Sequence, residues 1–304
     1  MSGRILCIGE AMVELSQTGD SGLWRLGVAG DTLNTAWYLR RLLPLEWRIG
    51  YFSRVGSGEF SQKMIDFLDA EGIDASTVGR DPDREIGLYA ITLTDGERSF
   101  AYWRDSSAAR RLADDAPTLQ RALTDCDIAY LSGITLAILP EDGRQRLIAA
   151  LADARRQGTR IVFDTNLRPR LWSDAATMRH WIETMAGGSD LILPSFDDEQ
   201  QHFDDTGPAA TIARYRRCGA QQVIVKAGGA PVHYGGSEGE GSVDGLVRDI
   251  PVDTTAAGDS FNAGYLAARI DGAPIADAIR RAHELSRRVI GARGALVPEA
   301  VGAD

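Results

Sequence analysis

The sequence predicts an α/β protein with a mostly parallel central sheet covered on both faces, and three observations carry that prediction. Short apolar, β-branched runs alternate with longer amphipathic stretches along most of the chain. The 304 residues, 44% of them apolar, suffice for one large core. One segment breaks the alternation: Leu88–Leu93 and Ser99–Arg104 follow a period of two and are joined by Thr94-Asp95-Gly96-Glu97, a β-hairpin pattern. The expectation is one domain, 1–304, carrying a small β lid formed mainly by about 86–105 and part of about 12–28.

In chain order, Arg4–Leu15 reads as a buried strand and Asp31–Leu43 as a helix with Asp31 suited to cap it. Ile49–Val55 reads as a strand and Glu59–Glu71 as a helix, before the acidic turn Asp81–Glu85 and the hairpin. Beyond the hairpin, strands are expected at Asp127–Ser132, Arg160–Asp164, Asp190–Pro194 and Gln222–Lys226. Helices are expected at Glu141–Gln157, Asp174–Ala186, Pro208–Cys218, Gly258–Ile270 and Pro274–Arg288. The apolar runs of the strands lack the alternation of a half-solvated sheet, which is why both faces are expected to be covered.

Charge and composition narrow the function. With 43 acidic against 33 basic residues the net charge is −10, which argues against nucleic acid as a partner. The absence of a signal-like start and of any long apolar stretch argues against a membrane and for a cytoplasmic location. Three scattered cysteines make no disulfide framework, and the four histidines have no zinc-like spacing. Of the basic residues 31 are arginine and only Lys63 and Lys226 are lysine, so a retained lysine is a candidate for a task arginine cannot perform.

Two nucleotide-site signatures are missing. No Gly-Lys dipeptide exists for a Walker loop, and Gly9-Glu10-Ala11-Met12 follows the first strand where a dinucleotide fold would place its glycine fingerprint. What remains is the run Asp253-Thr254-Thr255-Ala256-Ala257-Gly258-Asp259-Ser260-Phe261-Asn262-Ala263-Gly264, small residues leading into an apolar helical pattern. Unpaired amides at such a helix start favour a transferring phosphoryl group, and a carboxylate there can accept a hydroxyl proton. On physical grounds alone, Asp259 serves equally well as a helix-stabilising residue.

The run closely resembles the C-terminal signature of the ribokinase-like (PfkB) sugar kinases, DTxGAGD in its usual form. The resemblance implies a ribokinase-like three-layer fold, ATP with Mg²⁺ as phosphoryl donor, and no metal ligated directly by protein. It implies Asp259 as catalytic base and Ala256, Ala257 and Gly258 as the anion hole. Ala256 stands where most members carry glycine, and its Cβ disfavours a positive φ.

Gly27-Val28-Ala29-Gly30-Asp31-Thr32-Leu33-Asn34 reads by itself as a plain helix start. It is also similar to the family's sugar motif GGNxxN, which implies Gly30, Asp31 and Asn34 as sugar-binding residues. In the hairpin, Gly87-Leu88-Tyr89 and Phe100-Ala101-Tyr102-Trp103-Arg104 put Tyr102 and Arg104 on one face, opposite Trp103. Cross-strand packing accounts for the rings, whereas an arginine among tyrosines suits a small carboxylate. The loop Asn166-Leu167-Arg168-Pro169-Arg170-Leu171-Trp172 after a buried strand offers a second arginine. Together these segments resemble the branch of the family that phosphorylates 2-keto-3-deoxygluconate (KDG), over Ile8 to Pro298. That implies a keto-acid sugar held by Tyr89, Tyr102, Arg104 and Arg168, and a homodimer formed through the lid.

The strand Val223-Ile224-Val225-Lys226 ends at Ala227-Gly228-Gly229. Lys226 is either a surface lysine or a point charge for phosphate. The resemblance favours the second and implies an ATP site of Asn166, Ser195, Lys226, Gly228, Gly229, Thr255, Ala256 and Gly258. Other readings are a family relative with another sugar, of fructokinase or ribokinase type, and a catalytically silent sugar-sensing protein.

Overall fold

A computed structural model describes residues 2–18, 22–94 and 97–302. The turn expected at Asp95-Gly96 lies outside the described residues. The strands are β1 (Gly3–Ile8), β2 (Met12–Gln17), β3 (Trp24–Ala29), β4 (Trp47–Val55), β5 (Val78–Arg80), β6 (Gly87–Thr94), β7 (Glu97–Trp103), β8 (Ile128–Ser132), β9 (Arg160–Asp164), β10 (Leu191–Ile192), β11 (Gln222–Val225), β12 (Val232–Gly236) and β13 (Gly239–Val243). Nine of them form one sheet in the order β13-β12-β11-β10-β9-β8-β1-β4-β5. All its pairings are parallel except β11–β12 and β12–β13. The other four form a smaller sheet, β3-β2-β6-β7, in which β2 and β6 pair in parallel across a long stretch of chain.

The helices are α1 (Asp31–Leu42), α2 (Glu59–Ala70), α3 (Ala116–Leu123), α4 (Gly133–Ile138), α5 (Glu141–Arg156), α6 (Ala175–Gly187), α7 (Phe196–Phe203), α8 (Pro208–Cys218), α9 (Ala257–Ile270) and α10 (Ile275–Ile290). Successive residues of a strand point to opposite faces, so β1 sends Ile5 and Cys7 to one core and Leu6 and Ile8 to the other. The first core packs against α1, α2, α9 and α10, the second against α3 to α6 and α8, giving three layers. In α10 the buried Ile275, Ala278, Ile279, Ala282, Leu285 and Val289 repeat at helical spacing and form the face turned to the sheet. Truncating one such Leu or Ile to alanine removes roughly 2–5 kcal/mol.

Several expectations need correction. Arg4–Leu15 is two strands: the chain leaves the main sheet after Ile8 and enters the small one at Met12. The apolar run is continuous because both halves are buried, so hydrophobicity did not mark the break. Asp31 is the first helical residue of α1 and Gly30 is the cap. The last expected helix but one begins at Ala257, with Ala256 as its cap. The regular strand in the Asp190–Pro194 segment is confined to Leu191–Ile192, although Asp190, Leu193 and Pro194 also bond to neighbouring strands, and the short helices α3, α4 and α7 and the antiparallel pair β12–β13 were not anticipated. No helix among the described residues is long and apolar enough to cross a membrane.

Candidate active site

The Asp253–Gly264 run makes a tight turn into α9. Asp253 Oδ1 accepts from the Thr255 amide at 3.1 Å and its hydroxyl at 2.7 Å, while Oδ2 accepts from the Gly294 amide at 2.7 Å. Ala256 then adopts the left-handed conformation, φ 59° and ψ 17°, with a backbone cost of about 1–2 kcal/mol for a residue bearing a Cβ. This turn sets Ala257 as the first helical residue and Asp259 in the first turn. The Ala257 amide donates to the Thr254 carbonyl at 3.2 Å. Of the three residues expected to hold an anion, Gly258 therefore offers the amide best placed by position.

Asp259 is buried, and its Oδ2 accepts from Asn34 Nδ2 at 2.8 Å, joining the starts of α9 and α1. Asp31, three residues before Asn34, accepts from Asn166 Nδ2 at 2.7 Å and from the Thr32 amide at 2.8 Å. Beyond Asn166 lies Asp164, whose Oδ1 takes the Asn166 amide at 3.3 Å and Lys226 Nζ at 3.3 Å. Lys226 also donates to Asn262 Oδ1 at 3.1 Å, and Asn262 Nδ2 donates to Asp164 Oδ2 at 2.7 Å and to Tyr130 Oη at 2.9 Å. A chain of buried polar contacts thus runs from the end of β9 through β8 to α9.

Burial pushes the Asp259 carboxyl well above the ordinary carboxylate range, and the negative charges of Asp31 and Asp164 push the same way. The Asn34 hydrogen bond and the Lys226 charge oppose that rise. Asp31 is likewise raised, chiefly by burial, against the Asn166 and Thr32 hydrogen bonds. Carboxylates crowded around one ammonium have a raised proton affinity, which brings Asp259 nearer to the pKa that suits a general base, provided the carboxyl is ionised.

Beside this network a cleft of about 380 Å³ is lined by Ser195, Lys226, Gly228, Gly229 and Gly258, five of the residues expected around a nucleotide. Gly228 and Gly229 have φ of 53° and 89°, a turn that side chains disfavour. A Cβ on Gly229 would also stand 3.1 Å from the Arg248 side chain. Lys226 is buried, and its Nζ lies 3.5 Å from the point where a Cβ on Gly258 would sit. Ser195 caps α7 and pairs with Lys226 across adjoining strand ends.

Asn166, Thr255 and Ala256 do not line this cleft. Asn166 faces Asp31, and the Thr255 hydroxyl is bonded to Asp253. A larger cavity of about 700 Å³ lies by Trp47, Ala268 and Arg281, at the far ends of α1 and α9, and touches none of these groups.

In the small sheet Glu14, Tyr89 and Tyr102 are in register across three strands. The Tyr89 hydroxyl donates to Glu14, and the Tyr89 and Tyr102 rings stack with centroids 5.7 Å apart. Arg104 is buried and donates through Nη2 to Glu10, while Arg168 is exposed and lies 3.7 Å from Asp198. Each arginine expected to take a carboxylate thus faces one from its own chain.

Asp164, Asn262, Tyr130 and Glu10 were missed by sequence reasoning. Asn262 sits one helical turn after Asp259 and Asp164 at a strand's C-terminal end, signals that were available. Tyr130, mid-strand, carries none. Lys63 makes an exposed i,i+4 pair with Glu59 at 3.5 Å and takes no part in the site.

A family model described as "pfkB family carbohydrate kinase" matches residues 2–300. A 2-dehydro-3-deoxygluconokinase from Escherichia coli (strain K12) is 38% identical over 306 residues, covering 98% of this chain and 98% of its own. One from Dickeya dadantii (strain 3937) is 38% identical over 303 residues, with 97% of both chains covered. Among solved structures, a PfkB protein from Polaromonas sp. JS666 superimposes with a TM-score of 0.83 at 26% identity, over 96% of each chain. The three-layer fold, the Asp253–Gly264 turn and these likenesses agree: the chain belongs to the pfkB family of carbohydrate kinases.

Proposed function

We propose that this kinase phosphorylates 2-keto-3-deoxygluconate (2-dehydro-3-deoxygluconate) at its 6-hydroxyl with ATP, giving 2-keto-3-deoxy-6-phosphogluconate. The observation that carries the reading is Asp259, buried in the first turn of α9 between Asn34 and the Lys226 cleft. The relatives named for this activity, aligned over almost the whole chain, support the choice of sugar.

The cleft suits a nucleotide: its volume is within the range of ligand pockets, a left-handed glycine pair lets backbone approach closely, and a buried ammonium stands at its inner end. ATP with its Mg²⁺ supplies the phosphoryl group and part of the neutralising charge. Gly228 and Gly229 would border the phosphates, and Lys226 with the Gly258 amide would stabilise negative charge there. Asn34 fixes the Asp259 carboxylate through one oxygen and leaves the other to accept the sugar hydroxyl proton. No covalent enzyme intermediate is needed, because position and electrostatics do most of the work in phosphoryl transfer.

Asp31 and Asn34 would orient sugar hydroxyls, and Tyr89, Tyr102, Arg104 and Arg168 would surround the rest of the keto acid. In this reading the small sheet acts as a lid on a single domain and excludes water as a competing acceptor. Its exposed Trp24, Phe100 and Trp103 support a homodimer through the lid. The substrates are soluble metabolites, which accords with a cytoplasmic location.

A coupled ADP-release assay across acidic and neutral sugars tests the reading. The expected result is a kcat/KM for KDG at least 100-fold above those for fructose and ribose. Comparable values would assign the chain to another sugar.

A further inference from the structure

Four chain crossings connect the two sheets, and all of them meet at Glu10. The first is the link from β1 to β2, in which Glu10 itself sits, 2% exposed. The second is Gly30, between β3 and α1, where a Cβ would fall 2.3 Å from the Glu10 carbonyl oxygen. The third is the entry to β6 at Gly87, where a Cβ would fall 3.0 Å from Glu10 Oε1 and 3.4 Å from Arg104 Cβ. The fourth is the exit from β7, where Arg104 Nη2 and the Ser107 hydroxyl both donate to the Glu10 carboxylate. The Ser107 amide closes that exit by donating to the Arg104 carbonyl at 3.0 Å.

Arg104 has a second property that points to a ligand. It is 8% exposed, and its Nε–H finds no acceptor among the described residues. A buried guanidinium donor left without an acceptor is costly, and a fork with one edge occupied offers the rest to a second carboxylate. Glu10 holds that fork still: with it removed, Arg104 would be a buried cation on a flexible stem.

We propose that Glu10 is the positioning residue of the substrate-carboxylate site, fixing one edge of Arg104 and fastening the four crossings of the small sheet. It touches no substrate and acts through Arg104. The proposal rests on the reading that Arg104 receives the carboxylate of an acidic sugar. Glu10 thereby couples recognition of that carboxylate to the angle at which the small sheet stands over the main one.

The test is a double-mutant cycle on the full-length enzyme with Glu10→Ala, Arg104→Ala and the double variant, measuring KM for KDG, KM for ATP and kcat. Glu10→Ala is expected to raise the KM for KDG at least tenfold, with kcat falling by less and the KM for ATP changing under twofold. Glu10→Gln, whose amide oxygen still accepts from Arg104, should raise it about threefold. The double variant should be no worse than Arg104→Ala. Should Glu10→Ala fail to fold, Ser107→Ala removes the other anchor without unpairing a charge and should raise the KM for KDG two- to fourfold. Losses that multiply in the double variant, or a KM untouched by both Glu10→Ala and Ser107→Ala while Arg104→Ala raises it, would overturn the positioning role alone. An Arg104→Ala variant with normal KM for KDG would overturn the carboxylate reading and this proposal with it.

Discussion

The floor of the site and the small sheet above it are built on different principles. On the floor, Asp259, Asn34, Asp164, Lys226, Asn262 and Tyr130 come from α9, α1, β9, the end of β11 and β8, and each is bonded to at least one of the others. The small sheet buries Val13, Val28 and Ile91 in the first core but carries a row of stacked rings that opens to solvent: Phe100 is 44% exposed and Tyr102 53%. Among the described residues only Glu10 and Arg104 anchor that sheet by a buried charge pair. A cross-linked floor fixes where charge develops. In the proposed reading the small sheet closes over the sugar. Damage to the floor should appear in kcat, and damage to the small sheet in KM.

The largest expected effect is on the floor. Asp259→Asn keeps the Asn34 contact within reach but removes the proton acceptor, and kcat should fall on the order of 10³-fold with substrate affinity retained. Near-normal turnover in a steady-state assay would dismiss Asp259 as the base. Lys226→Met removes the buried cation and leaves Asp164 with neutral partners only. A drop in kcat of roughly 10²-fold, with weaker ATP binding by calorimetry, is expected.

Next comes a pH effect. Asp259 must be ionised to accept a proton, and burial together with Asp31 raises its pKa, so kcat/KM should fall off on the acid side above the ordinary carboxylate range. Asp31→Asn removes a neighbouring negative charge, favours the ionised Asp259, and should move that limb down by about one pH unit. A limb that stays put or moves up would show that the two carboxylates do not interact. In the small sheet, Tyr102→Ala deletes the ring stacked on Tyr89; with such pairs worth about 0.5–1.5 kcal/mol, the KM for sugar should rise roughly two- to tenfold at constant kcat. A fall in kcat instead would erase the distinction between floor and sheet.

The smallest effect concerns the backbone. Ala256→Gly relieves the left-handed strain but loosens the unfolded chain, for a net gain of about 0.5 kcal/mol and a melting temperature higher by about 1 °C. A lower melting temperature would mean that the Ala256 methyl contributes packing that outweighs its strain.

What the sequence disclosed follows the range of the interactions. The helix start at Gly258-Asp259 and the Gly228-Gly229 turn were legible because their geometry is local and written in consecutive residues, whereas the roles expected there came from the family resemblance. The three-layer order was legible for a similar reason, since doubly buried strands leave unbroken apolar runs. The pairing of Arg104 with Glu10, 94 positions apart, was not, because neither residue carries a local mark of the other. The same limit applies to Asp31, which sat in a recognisable helix start yet bonds to Asn166, 135 positions away. The split of Arg4–Leu15 was hidden for the opposite reason: both halves are buried, and hydrophobicity alone does not register which sheet a strand joins.

The small sheet is assembled from two separate pieces of chain, and among the described residues their strands pair with each other only where β2 runs parallel to β6. That division sets an order of events during synthesis. The first hairpin leaves the ribosome with the inner edge of β2 open, and a lone two-stranded ribbon is marginal in water. It must wait for some sixty further residues, which build α1, β4, α2 and β5 in the meantime. The small sheet is therefore completed only after one flank of the main sheet has begun to form, and the nascent chain spends that interval with an unprotected strand edge.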